Sequence, residues 1–464
     1  MNKKYLPSAL ILYLNYFIHG VGCSILGQAV IKDALAGAWG VEAMAITAIS
    51  AALGLGRLIA LPFAGPLSDK LGRRISTAIG SASYAIYLIG LALAFNAGTN
   101  GGYTIAYVCA ILGGIANSFL DTGIYPAVSE IIYKAPGVAT MGIKFFIAIA
   151  QMLLPFVLGA TVATTAAGLT SYNRLFYGCG IIYIVLFVLV FLFPLPDADQ
   201  KAAGKKEGLI DSLKHTHFSF ESIAMILIGF TCTGTFQLWL NCAQNFAKEN
   251  VGWADPSIMQ TYYSAGTMIA LVVTALLTRK IKDVRFILIY PVICLVTLIV
   301  VLTGKSEALM LAGAFIIGWA GAGGLLQIAT SVCNMLFPKI KGTVTALVMI
   351  ASSLCNYTIL TAASKMQPSQ VMIMNIVLTA AGVVLGVSGA DINELYDTTA
   401  AIEKLGYKDL VLNTTGATIK ETFSTTVQVR RACLAKNPDR TFGYPSIVNL
   451  CKIAPNDKPM QISL

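Results

Sequence analysis

The feature that most constrains this chain is a succession of about twelve apolar runs, separated by short polar segments, at 6–31, 41–64, 75–95, 102–128, 142–165, 173–194, 220–246, 257–278, 284–303, 307–333, 343–364 and 369–389. A helix rises 1.5 Å per residue, so about 20 residues cross the roughly 30 Å hydrocarbon core of a bilayer. No water is available there to satisfy backbone N–H and C=O groups, so apolar runs of this length must be helices. Composition agrees. Apolar residues make up 56% of the 464 and charged residues only 12%, where soluble domains carry about half and a quarter. The chain is expected to be an all-α membrane protein with twelve transmembrane helices.

The formal net charge of +10 does not point to nucleic acid, because the basic residues punctuate the apolar runs and form no patch. With the N-terminus inside, seventeen Lys and Arg fall on the inner segments, Lys144 among them, against five outside: Lys32, Arg174, Lys248, Lys305 and Lys365. The positive-inside rule then places both termini in the cytoplasm of a multi-pass cell-membrane protein. Lys3 and Lys4 before an apolar run, with Ala34-Leu35-Ala36 behind it, imitate a signal peptide. The run is too long for one, and an uncleaved first helix is expected. The ten cysteines have no CxxC spacing and read as reduced packing residues. No metal spacing, cofactor motif, Ser/His/Asp arrangement or phosphate-binding loop is present, which argues against an enzyme.

Between the second and third runs lies GPLSDKLGRR, Gly65 to Arg74, dense in charge for this chain and read as a tight hairpin. Through Gly65, Asp69, Lys70, Gly72, Arg73 and Arg74 it resembles the loop between the second and third helices of the major facilitator superfamily. The resemblance extends over about residues 1–390 and is to uptake permeases of bacterial type. It implies two pseudo-symmetric six-helix bundles with a midplane site and rocking access. It also implies a conformational latch, in which Asp69 faces the N-terminus of the eleventh helix near Gly342 and Thr343, while Arg73 reaches Glu130.

The order of the runs fits that division: a bundle at 1–196, a cytoplasmic loop at 197–219, a second bundle at 220–390, and a polar tail or small domain at 391–464. The halves also look like weak copies. Gly113 to Gly137 matches Gly318 to Gly342 at a constant offset of about 205 residues, each a small-residue-rich stretch ending in Lys, Pro and Gly. In the tail, 393–405 has helical spacing and 425–429 reads as a strand.

Ionisable groups are costly in lipid, about 2.5–3.5 kcal/mol each on insertion scales, so those inside the runs are functional candidates. Asp121 is the one carboxylate deep in a run and forms a helical stripe with Asn117 and Tyr125. Proton coupling is expected at Asp121 and His19. Substrate contacts are expected from Asn15, Arg57, Asn117, Tyr125, Gln237, Asn241, Gln244, Asn245, Tyr262, Trp319, Gln327 and Asn356. Arg57 reads equally as an anion ligand, as the partner of Asp121, or as a snorkelling side chain. Thr233, Gln237, Asn241, Gln244 and Asn245 share one face of the seventh run and suit cavity lining, with polar packing as the alternative. Each of these residues also has a purely structural reading.

The expected function is proton-coupled uptake of a small polar or anionic organic solute by an alternating-access transporter, without cofactor or metal. The expected partners are the solute, protons and the bilayer, with a monomer as the working state and a cytoplasmic partner open for residues 391–464. Two alternatives stand beside it: a proton-driven exporter of amphiphilic or cationic compounds, and a transporter-like nutrient sensor signalling through the tail. QMLLPFVLGA in the fifth run lacks the glycine-rich motif of superfamily antiporters, which favours uptake.

Overall fold

The computed structural model describes residues 3–132, 136–163, 169–195, 220–277, 283–336, 341–385, 412–414, 419–434 and 446–447. The first half comprises α1 (Leu6–Ser24), α2 (Ala29–Trp39), α3 (Thr47–Leu71), α4 (Arg73–Ala97), α5 (Gly102–Ile131), α6 (Pro136–Ala163) and α7 (Leu169–Leu192). The second comprises α8 (Phe220–Phe246), α9 (Met259–Leu277), α10 (Asp283–Gly304), α11 (Glu307–Ile316), α12 (Leu325–Leu336), α13 (Lys341–Ala363) and α14 (Pro368–Leu385). Among the described residues, eleven segments are long and apolar enough to cross a membrane. The nineteen-residue α9, which follows α8 in the chain and packs on α6 and α11, completes the twelve expected.

Large apolar side chains point outward along these helices, among them Phe63, Ile182, Val185, Leu192 and Val296. In water such a surface would drive aggregation, and in a bilayer it is the solvated face. The interior of the first half is aromatic, with Tyr16, Tyr84, Tyr87 and Tyr183 fully buried. Because lipid is as apolar as leucine, helices associate through close packing of small residues rather than through hydrophobic burial. Gly56 and Gly114 show this where α3 crosses α5. A Cβ on Gly56 would lie 1.9 Å from the Ile111 carbonyl oxygen, and one on Gly114 would lie 2.0 Å from that of Leu53.

Three expectations are corrected. The Gly65 to Arg74 hairpin is tight as expected but is not a loop over its length, because α3 runs through Leu71 and α4 starts at Arg73, leaving Gly72 as the whole connection. Gly72 has φ of 91°, a conformation that disfavours any side chain. The first apolar run is not one helix, since α1 ends in a 3-10 turn at Ile25–Gly27 and Gln28 is extended before α2. The tenth run is also broken. Its first residue lies 307 − 102 = 205 positions after that of α5, as the repeat requires, yet Ile317–Ala322 is π-helical and Gly324 sits at φ of 149°. The added glycines loosen the copy where the original is continuous.

Chain alternation gives the helices two ends. The proximal face carries the start of α1, and the distal face carries its end.

The chain divides into two compact units, Met1–Thr216 with Ile226–Val384, and His217–Met225 with Leu385–Leu464. In the second unit β1 (Leu412–Asn413) pairs in parallel with β2 (Ser446–Ile447), and α15 spans Ile419–Leu434. The strand expected at 425–429 is therefore helical, and the helix expected at 393–405 lies outside the described residues. α15 buries Thr422 and Val429, spaced at seven residues along one face, which overrides the β-branched content of the segment.

Candidate functional site

Asp121 is on α5, and both of its carboxylate oxygens are engaged. Arg57 of α3 donates through Nη2 to Oδ2 at 2.6 Å, and the Tyr16 hydroxyl of α1 donates to Oδ1. The Gly56–Gly114 crossing brings α3 and α5 close enough for this pair, since a side chain at either position would wedge the backbones apart. Arg57 and Asp121 keep 28% and 25% of their side chains exposed, so the pair borders open space and is not sealed into a helix contact. Arg57 Nη2 also lies 3.8 Å from Met349 Sδ of α13, which places the pair where the two halves meet.

Aromatic groups surround it. The Tyr16 ring meets His19 at 5.4 Å and Tyr125 at 5.7 Å, both edge-on, and His19 meets Tyr84 at 5.3 Å. Lys144 of α6 stands within electrostatic reach of His19 and Tyr125. From its place at the start of the fifth apolar run, Lys144 is expected among the inner charges at the membrane edge. It lies about two turns inside α6, and its i+3 and i+4 neighbours are apolar, so only the tertiary packing reveals it. Arg57 and Lys144 against Asp121 give the cluster one excess positive charge.

Several expected site residues carry buried polar atoms with no hydrogen-bond partner: His19 Nδ1, Asn117 Oδ1, Asn241 Oδ1, Trp319 Nε1 and Asn356 Oδ1. Buried polar groups are normally satisfied, so each of these calls for a partner. Asn356 lies across from Gly54, toward the same junction of the halves. Trp319 turns instead toward Tyr290 inside the second half, ring centroids 6.3 Å apart. Asn15 is fully buried and turned away from Asp121: it donates to the Ile11 carbonyl and accepts from Ser81, while its own carbonyl accepts from Tyr183. Gln327 and Tyr262 are exposed and do not join the cluster.

The polar stripe of α8 does not line one cavity. Thr233 donates to Ser352 of α13 at 2.8 Å, and Asn241 donates to Gln237 one turn away. Farther out, Gln244 donates to Gln28 at 3.1 Å and accepts from the Ala29 N–H at 2.8 Å. Gln28 in turn reaches Gln260 of α9. Gln28, Gln244 and Gln260 are all at most 4% exposed, so this end of the stripe seals the distal face between the halves.

At the proximal face the signature charges tie the first half together. Arg73 pairs with Glu130 at 3.8 Å and donates to Ser68, whose hydroxyl donates to the Thr122 carbonyl. Arg74 reaches the Phe193 carbonyl at 3.4 Å, and Lys70 is exposed. Arg73 and Glu130 meet as expected, yet both belong to one half. A link between halves would rest on Asp69, whose side chain lies outside the described residues. Gly65 sits within α3.

The family model described as Major Facilitator Superfamily matches residues 12–356. A second, described as CO dehydrogenase/acetyl-CoA synthase delta subunit, matches residues 343–457, overlapping α13 and α14. The chain is 32% identical over 364 residues to the uncharacterized MFS-type transporter YfkL of Bacillus subtilis (strain 168), covering 77% of this chain and 88% of that one. It is 30% identical to the inner membrane transport protein YdiM of Escherichia coli (strain K12), covering 77% and 87%. A fainter likeness, 23% identical over 74% and 90%, is to the quinolone resistance protein NorA of Staphylococcus aureus (strain MRSA252). Among solved structures, the xylose transporter XylE of E. coli in its inward-open conformation superposes with a TM-score of 0.66 at 15% identity, over 82% of this chain and 94% of that one. With its helical membrane body, its inter-half junction and these relatives, the chain belongs to the major facilitator superfamily: it is a multi-pass membrane transporter of small-molecule solutes, working by alternating access, and not an enzyme.

Proposed function

We propose that this transporter takes up a small organic anion together with a proton, with Asp121 as the proton site and Arg57 and Lys144 as the anion site. The observation that carries the reading is the Arg57–Asp121 pair, bordering open space beside a second cation. While Asp121 is ionised, its two oxygens hold Arg57 and Tyr16. A proton on Oδ2 removes the charge that holds Arg57 and occupies the oxygen to which it donates. The guanidinium is then free to pair with a carboxylate-like group, for which its planar fork is suited. Loss of the solute returns Arg57 to Asp121 and expels the proton. Proton and anion therefore bind in company, as symport requires. The unpartnered polar atoms of His19, Asn117 and Asn356 serve the uncharged parts of the solute.

With the proximal face cytoplasmic, as the charge bias of the sequence favours, the sealed distal face makes this the inward-facing state. The deciding experiment is a thermal-shift screen of the purified protein against carboxylates, sugars and amino acids, followed by uptake of the hit into proteoliposomes. Uptake should rise when the outside is acidic. Uptake indifferent to the gradient removes the coupling. The likeness to NorA favours a second reading, export of amphiphilic cations. Against it, the carboxylate that would hold a cation is already paired, and the cluster has a positive excess.

A further inference from the structure

The most completely buried charge in the described structure serves none of the roles above. Lys32, on α2, has 0% exposure, although its place after the first apolar run is that of an outer-segment charge. Its ammonium donates to Thr47 Oγ1 at 2.7 Å, to the Asn241 carbonyl oxygen at 2.5 Å and to Asn245 Oδ1 at 3.1 Å. An ammonium has three N–H donors and no acceptor, so three oxygens match its charged form donor for donor. A neutral amine has only two donors and would keep all three partners only by accepting from the Thr47 hydroxyl. Two of the oxygens belong to α8, in the other half of the molecule, and all three sit toward the distal face, next to the Gln28–Gln244–Gln260 seal.

We infer that Lys32 is an inter-half lock of the distal face, a positioning residue whose charged ammonium bridges the halves only while that face is closed. Thr47, from its own half, stays beside it when the face opens, and water replaces Asn241 and Asn245. Acidic groups stand nearby. Asp33, its neighbour in the chain, pairs with Lys248 across the halves, and Glu42 and Glu249 stand near that pair. Burial pulls the Lys32 ammonium below the ordinary lysine value, while Cys242 and Asp33 oppose that pull. The lock explains why α8 carries an amide at Asn245 and not a carboxylate. Neutral oxygens hold an ammonium firmly enough to close the face and weakly enough to release it in every cycle, whereas a buried ion pair there would resist opening.

Cys242, buried at 3% on α8 beside Lys32, is a native reporter. Its rate of reaction with a hydrophilic maleimide, read on the full-length protein in nanodiscs by mass spectrometry of its peptide, follows opening of the distal face. Cys355, at 0% exposure within the second half, reports general loosening. Lys32→Met should raise the Cys242 rate at least tenfold with Cys355 still protected, since three oxygens lose their donor in the closed state only. Asn245→Asp should lower the rate at least tenfold by turning the lock into an ion pair, and most of that slowing should vanish in the Lys32→Met background. Should Lys32→Met loosen Cys355 as well, the Asn245→Asp pair of measurements decides alone. Single-variant rates within twofold of the parent, or an Asn245→Asp effect that persists without Lys32, would overturn the lock. The assay reads conformation without any solute, so its failure is distinct from failure of the proton–anion reading.

Discussion

Asp121→Asn tests the proposed coupling most directly, because it removes the charge and keeps the shape. The Nη2–Oδ2 distance of 2.6 Å puts the charge centres of Arg57 and Asp121 roughly 4 Å apart, an attraction of about 4 kcal/mol at an effective dielectric constant of 20. Both side chains are about a quarter exposed, so screening and the desolvation already incurred take back more than half, leaving about 1–2 kcal/mol. An anionic solute must displace that interaction to reach Arg57. In the Asn variant it need not, so its affinity should rise by about five- to thirtyfold. Binding is measured by calorimetry on the screened anion. In proteoliposomes the variant should exchange labelled for unlabelled solute yet fail to accumulate it on a pH gradient. Weaker binding in the variant or gradient-driven accumulation would each refute the reasoning.

Lys144→Gln should raise KM for the same anion severalfold with kcat little changed, since Lys144 adds attraction but is not held by Asp121; transport kinetics separate the two. Gly114→Val should lower stability by about 3 kcal/mol or more through overpacking, because its first added carbon would lie 2.0 Å from the Leu53 carbonyl oxygen; thermal unfolding in detergent measures it. Glu130→Gln should cost less than about 1 kcal/mol on the same assay, as its pair with Arg73 is long at 3.8 Å and partly exposed. A chain ending after Leu385 should transport at the parental rate, and loss of transport would instead give residues 386–464 a part in the cycle.

The sequence by itself determined the membrane body. Apolar runs and the spacing of glycines are local properties, and the hydrocarbon core leaves the helix as the one conformation for each run. Ionisable residues inside those runs are rare enough that Asp121, Arg57 and His19 stood out without any structure. The signature at Gly65 to Arg74 was legible as a family trait, although its extent as a loop was not, because helical propensity continues to Leu71 and only the φ of Gly72 breaks it.

What the tertiary structure decided was which of those groups meet. Asn15 and Asn117 look alike in sequence, each an amide on an apolar helix, yet one is saturated inside the first half and the other has an unpartnered oxygen. Lys144 and Lys32 sit near the ends of apolar runs, where a lysine ordinarily snorkels to the headgroups. Neither does so here. Lys32 finds its oxygens 15, 209 and 213 positions away in the chain. Pairings at that separation depend on how two halves dock, and no local pattern encodes docking. Hydropathy says that a charge is costly in lipid, and only the packed molecule says who compensates it.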